Sequence, residues 1–355
     1  MKFSPQDERF MRQALQLARR GIGRTSPNPV VGAVLVRAGK VIGQGWHKQA
    51  GGPHAEIFAL TGQKASGTTL YITLEPCCTH GRTPPCTAAI IAAGIRRVVI
   101  AARDPNPSHN GRGLAVLRRA GIRCDDGLLA DEASSLNATF NKWITTGKPL
   151  VTAKAALSLD GQMATRTGDS KWITSDLARR EAHKLRSQSD AVMVGAGTVI
   201  ADNPSLTLRH GVRGRQPWRV VVDARGRCQL TANLFRDAQR HRTIVCTTAR
   251  SPITWRRALA LRNVTVLVLP AKNRHVNLPA LLAELGRMEI TSVLIEGGGE
   301  LLGACFAAGL VDQVAFFFAP KIIGHAATMK TAVGVTGQWR KIGQTEMLFT
   351  GATSR

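Results

Sequence analysis

Apolar residues recur along this chain in two alternating series of short runs, each flanked by Gly, Pro or charged residues. The first run has a helical period. Phe10, Ala14, Leu17 and Ala18 share one face, Ser4 precedes them and Gly21 stops them, which predicts a helix over residues 4–20. Residues 30–36 (VVGAVLV) are continuously apolar and predict a buried strand; the turn Arg37-Ala38-Gly39-Lys40 leads to a second strand at 41–42. A helix is expected over 54–60 behind Pro53, a strand over 70–74, a helix over 87–93 closed by Gly94, a strand over 98–101, and a helix over 113–120 closed by Gly121. This alternation predicts an α/β layer on a largely parallel sheet.

The pattern pauses over 141–149 (NKWITTGKP), where Gly147 and Pro149 act as punctuation. A boundary there gives domains 1–146 and 147–355. The second series predicts strands at 151–156, 191–194, 220–222, 243–246, 264–269, 292–295 and 314–318, with helices at 176–186, 278–285 and 301–308. It is a second α/β unit with a core of its own. No internal repeat interrupts either series.

Composition narrows the classes. No uncharged apolar run is long enough to span a bilayer, and the polar start MKFSPQDERF has no signal-peptide core, so no membrane and a cytoplasmic location are expected. Seven cysteines, three of them within residues 77–86, suit a metal site better than a disulfide framework. The net charge of +25 raises nucleic acid as a partner. Against it, Lys and Arg are dispersed, and stacking side chains are few (Phe 10, Trp 6, Tyr 1). No nucleic-acid partner is therefore expected; a phosphate-rich substrate and cofactor is the competing account of the charge.

Candidate chemistry begins at His54-Ala55-Glu56, the H-x-E half of a zinc deaminase signature, followed by Pro76-Cys77. One imidazole and two thiolates hold Zn²⁺ and leave a fourth position for water, whose pKa the metal lowers from about 15.7 toward roughly 7. Glu56, two residues past the ligand, is placed to carry a proton from water to departing ammonia. The usual P-C-x-x-C is broken, because position 80 is His80 and the next cysteine is Cys86. Two ligand sets stay open: His54, Cys77 and Cys86, or His54, Cys77 and His80. The first is favoured, since Pro84-Pro85 stiffens the return to Cys86 ahead of a helix. Cys78, beside a ligand, reads as a small hydrophobe.

In the second half, Glu296-Gly297-Gly298-Gly299-Glu300 follows a strand and opens a helix, so backbone N–H groups there can approach a phosphate. It is not G-x-G-x-x-G, and a tight structural turn fits it equally well.

Pro27-Asn28-Pro29-Val30-Val31-Gly32, His54-Ala55-Glu56, Thr73-Leu74-Glu75-Pro76-Cys77, Gly81-Arg82-Thr83-Pro84-Pro85-Cys86 and Asp104-Pro105-Asn106-Pro107 occur in this order. Together they resemble the bifunctional riboflavin-biosynthesis deaminase/reductase family. The likeness continues through 154–161 (KAALSLDG), 170–175 (SKWITS), Arg186, 197–209 (GTVIADNPSLTLR) and the 296–299 run (EGGG), and so covers nearly the whole chain. It implies an N-terminal cytidine-deaminase-like three-layer α/β domain and a C-terminal dihydrofolate-reductase-like domain using NADPH. Its zinc ligands map to His54, Cys77 and Cys86, and its proton shuttle to Glu56. Asn28 falls in the pyrimidine pocket, with 79–85 and Asp104 on the substrate side. Ala156, Trp172, Thr198, Asp202 and the run from Gly298 and Gly299 to Ala304 fall along the dinucleotide; Ser170, Arg186, Leu206, Arg209 and Glu296 fall on the substrate side.

The resemblance implies deamination of a ribosylamino-pyrimidinone 5′-phosphate followed by reduction of its sugar, in a chain that is commonly a homodimer. The physics of guanidinium agrees that Arg186 and Arg209 suit a phosphate, and both are expected to converge on one. Asp202 also reads as a turn-former before Pro204. Lys154 reads either as a neighbour of the reacting sugar carbon or as a salt-bridged strand lysine. One departure stands out: after Val222-Asp223 the family often has Ser, and this chain has Ala224.

Overall fold

A computed structural model describes residues 3–80, 84–165, 173–324, 335–342 and 346–353. The chain divides into two compact units, Met1–Gly147 and Lys148–Arg355.

The first unit contains α1 (Pro5–Arg19), β1 (Gly32–Arg37), β2 (Lys40–Trp46), α2 (Ala55–Leu60), β3 (Thr69–Leu74), α3 (Cys86–Ala92), β4 (Arg97–Ala102), α4 (Arg112–Arg119), β5 (Arg123–Asp126), α5 (Ala130–Leu136) and α6 (Ala138–Thr146). Its sheet has the order β2-β1-β3-β4-β5. The expected parallel sheet is in fact mixed. β1 runs antiparallel to both β2 and β3, because a short turn joins it to β2; only β3-β4-β5, linked through helices, are parallel. Period-two alternation splits the strands between two cores. Val34, Tyr71 and Val99 pack with Met11 and Leu15 of α1, while Leu35, Ile72 and Ile100 pack with Ala59, Ile90 and Leu117 of the helices on the other face. The result is three layers.

Local chemistry fixes the helices that matter. Ser4 caps α1: its Oγ accepts from Asp7 N at 3.1 Å, and its own N donates to Asp7 Oδ2 at 2.9 Å. Asp7 also accepts from Tyr71 and Arg97, both at 2.7 Å, which ties α1 to the sheet. β2 lies close against α2; a Cβ at Gly45 would stand 2.5 Å from Ala55 O. The pause read over 141–149 is largely helical: α6 continues to Thr146 and stops at Gly147, whose φ is +68°.

The second unit contains β6 (Leu150–Leu157), α7 (Asp176–Gln188), β7 (Ala191–Gly195), α8 (Ala196–Asp202), β8 (Trp218–Val222), α9 (Asn233–Arg236), β9 (Thr243–Thr247), α10 (Ile253–Ala260), β10 (Thr265–Val268), β11 (Ala271–Lys272), β12 (His275–Val276), α11 (Leu278–Arg287), β13 (Ser292–Glu296), α12 (Gly299–Ala307), β14 (Gln313–Phe318), β15 (Val335–Ile342) and β16 (Glu346–Thr353). Nine strands form one sheet in the order β10-β9-β8-β7-β13-β6-β14-β16-β15. It is parallel from β10 to β14, with an antiparallel β16-β15 edge. Met193, Val220 and Ile295 face α11 and α12, whereas Val194 and Val221 face α9 and α10. Helix α7 covers Ala315 and Phe317. Among the described residues no helix is long and apolar enough to cross a membrane.

Candidate active sites

The first site forms where two short helices begin. His54 stands in extended conformation just before α2, and Cys86 is the first residue of α3. Cys77 follows the end of β3. His54 Nδ1 lies 3.2 Å from Cys86 Sγ and 3.6 Å from Cys77 Sγ. All three ligand atoms fall within 4.8 Å of one another. A tetrahedral zinc with Zn–S and Zn–N bonds of ordinary length separates N from S by about 3.6 Å, so this trio fits Zn²⁺. Backbone bonds hold the arrangement: Cys86 N donates to Cys77 Sγ at 3.3 Å, and Thr87 N to Cys77 O at 3.2 Å. Hydrogen bonding from Cys86 and His54 holds the Cys77 thiol down to about 4. His80, the competing ligand, is exposed.

Glu56 is buried, and among the described residues its Oε2 has no hydrogen-bond partner. Burial raises its carboxyl above the usual range. A buried acceptor left open beside a metal-ligand trio is positioned to handle a proton.

His47 is a residue the sequence reading missed. Its Nδ1 lies 3.0 Å from Pro53 O, which only accepts, so Nδ1 carries the proton and Nε2 accepts from Asn28 Nδ2 at 3.1 Å. Burial lowers its pKa and keeps it neutral. Its ring meets His54 edge-on at 5.2 Å. Asn28 is thereby brought to the trio through His47. No spacing marks His47; only the fold places it there. Asn137, also missed, clamps the same loop by pairing with Val30 N at 2.8 Å and Val30 O at 2.9 Å. Cys78 does not pack as a plain hydrophobe: it is half-buried, with Sγ 3.8 Å from His109 Nδ1.

In the second unit, β7 and β13 are neighbours, and α8 and α12 start at their carboxyl ends. Gly297 and Gly298 have φ of +86° and +68°, a region that favours glycine, and a Cβ on Gly298 would lie 3.1 Å from Thr198 Oγ1. Thr198, Gly298 and Gly299 therefore come together where N–H groups of two helices emerge. Asp202, four residues beyond Thr198, closes α8 and is exposed. Ala156 lies on β6, across β13 from this cluster. Lys154 pairs in register with Glu296 on β13, its Nζ 3.8 Å from Glu296 Oε2.

Two residues expected on the substrate side have partners within the protein. Arg186 is paired: its Nε and Nη2 bond Glu296 at 2.5 and 2.9 Å, and its Nη1 bonds Thr207 O at 3.0 Å. Glu296, buried, is thus this arginine's counter-ion. Arg209 remains exposed, with its backbone N donating to His183 Nδ1 at 3.0 Å. Leu206 turns its side chain into the core with Val192, Val194 and Val199, at a φ of +52° that a branched side chain rarely adopts. Ser170 and Trp172 lie outside the described residues. Ala224 O accepts from Thr248 Oγ1 at 2.7 Å.

The architecture defines a zinc-deaminase-type unit followed by a reductase-type unit. Residues 4–102 match the family described as cytidine and deoxycytidylate deaminase zinc-binding region, and 149–348 match the RibD C-terminal domain. The chain is 45% identical to the riboflavin biosynthesis protein RibD of Aquifex aeolicus, over 91% of this chain and 89% of that one. It is 43% identical to that of Escherichia coli, over 91% and 90%. The fold superposes on Acinetobacter baumannii RibD with a TM-score of 0.88 at 37% identity, covering 98% of this chain and 99% of that one. A Thermotoga maritima deaminase/reductase gives 0.85 at 36%, with the same coverage. The chain belongs to the RibD family of bifunctional deaminase/reductase enzymes of riboflavin biosynthesis.

Proposed function

We propose that the first unit hydrolyses the ring amino group of 2,5-diamino-6-ribosylamino-4(3H)-pyrimidinone 5′-phosphate, and that the second then reduces the ribosyl side chain with NADPH. The product is 5-amino-6-(5-phosphoribitylamino)uracil. The observation that carries the first step is the convergence of His54, Cys77 and Cys86 beside the open Oε2 of Glu56. Zn²⁺ held by His54, Cys77 and Cys86 would supply an activated water at neutral pH. The Glu56 carboxylate would accept a proton and return it to the amino nitrogen, so that water and substrate give carbonyl and ammonia. His47, held neutral, orients Asn28 toward the pyrimidine edge. The insert 79–85 and Asp104 shape the rest of the substrate side.

For the second step, Thr198, Gly298 and Gly299 face the cofactor phosphates, with Asp202 and Ala156 further along the dinucleotide. NADPH held there would supply a hydride, which with one proton would reduce the imine form of the sugar carbon to the ribitylamine. Lys154 stands one strand from the cofactor cluster and suits contact with the substrate. Arg209, exposed beside this loop, is the remaining phosphate partner. Ser170 and Trp172 join this site through the resemblance alone, and the homodimer rests on that resemblance too.

The test is Glu56→Gln in the full chain. Ammonia release from the diamino substrate is expected to vanish, while zinc content and NADPH oxidation with deaminated substrate stay unchanged. Persistent ammonia release in this variant would overturn the deaminase assignment.

A further inference from the structure

Helix α4 has no cap of its own. Its first residue follows Gly111, which sits at φ +75° and has no side chain to accept the helix's free N–H groups. In α1 the same need is met locally by Ser4 and Asp7. In α4 it is met from another strand. Glu75 Oε2 accepts from Gly111 N at 3.0 Å, and Oε1 accepts from Leu114 N at 3.2 Å. A carboxylate here also matches the positive end of the helix.

Glu75 is buried and lies two residues before Cys77, just past the end of β3. Its Oε2 accepts a third bond, from Asp104 N at 3.2 Å, and its own N donates to Ala102 O at 3.0 Å. The helix start is pressed onto it: a Cβ at Gly113 would stand 2.2 Å from Pro76 O and 3.2 Å from Glu75 Oε1. Between these anchors runs the D-P-N-P loop. It is shaped internally, with Asp104 Oδ1 accepting from Asn106 N at 2.9 Å and Asn106 Oδ1 from Ser108 N at 3.0 Å. Its far end brings His109 Nδ1 to 3.8 Å from Cys78 Sγ. Local turns decide the loop's shape, but they do not decide where it stands relative to the end of β3. Glu75 does, by gripping both ends of it.

We propose that Glu75 is a positioning residue of the deaminase: it registers the 104–114 segment against the end of β3 and the Cys77 that follows it, and so sets affinity for the pyrimidine substrate without touching metal or substrate. The inference rests on the proposed function, in which Asp104 faces the substrate. Glu75→Gln keeps the size of the side chain but offers one acceptor oxygen, and turns an amide N–H toward a backbone N–H. Gly113→Ala keeps the carboxylate and pushes the helix start away from it.

The experiment measures ammonia release against substrate concentration for the full chain and both variants, with zinc content and NADPH oxidation on deaminated substrate as controls. Both variants are expected to raise the deamination KM about tenfold or more, as lost charge-assisted hydrogen bonds would. The kcat per bound zinc, the zinc content and the reductase rate are expected to hold. A purely structural role would instead lower the active fraction at constant KM, and that result overturns the inference, as does zinc loss in Glu75→Gln. Should Glu75→Gln fail to fold, the KM of Gly113→Ala decides. A parent chain that releases no ammonia removes the proposed function and this inference with it; an active parent with variants of unchanged KM removes this inference alone.

Discussion

Arg186 and Glu296, 110 positions apart, meet as a two-pronged ion pair with Nε–Oε1 at 2.5 Å and Nη2–Oε2 at 2.9 Å. The pair bridges α7 and the end of β13, with Lys154 as a weaker third member. Burial alone raises a carboxyl, yet Arg186 and Lys154 hold Glu296 down to about 2. Removing the cation therefore strands a buried charge. Arg186→Ala is expected to cost the reductase unit about 3–5 kcal/mol, read as a lower urea midpoint. An unchanged midpoint with a weakened substrate KM would restore the arginine as a free phosphate clamp.

The zinc set is tested by metal content. Changing Cys77 or Cys86 to Ser removes one member of the trio and is expected to abolish stoichiometric zinc. His80→Ala is expected to retain it, because His80 is exposed and stands outside the trio. Zinc loss in His80→Ala with retention in Cys86→Ser would reverse the ligand assignment.

These two cases show what the sequence makes legible. His54, Cys77 and Cys86 sit at element ends, where short motifs mark both the residue and the turn that presents it. The alternating runs of β1, β3, β4 and the central strands of the second sheet were legible for the same reason: each is apolar enough to stand alone. β5 (RCDD) was missed because three of its four residues are polar; it forms because it pairs beside β4. The β15–β16 edge was missed because its mixed, Gly-containing strands form through pairing, β16 with β14 and β15 with β16. The Arg186–Glu296 pair was not legible because its two members lie on elements far apart along the chain. His47 and Glu75 act through contacts that no local spacing encodes, and nothing in the composition marks the left-handed backbone that turns Leu206 into the core.

The loop carrying Arg209 should respond to pH through His183. This histidine, on α7, accepts the Arg209 backbone N–H through Nδ1 at 3.0 Å and can do so only when that nitrogen is unprotonated. Burial, then Arg186, holds its pKa down to about 4, against an ordinary 6.5. The unfolded chain thus binds a proton at a higher pH than the folded one does. The stabilisation is fully present above 6.5 and is lost as the pH falls through about 4. Between those values, amide exchange across residues 205–212, corrected for intrinsic rates, is expected to speed up as pH drops, and the reductase KM for deaminated substrate to rise with it. His183→Gln, whose side-chain oxygen accepts at any pH, is expected to flatten both trends. Parent and variant curves that run parallel over this window would show that His183 does not govern the loop.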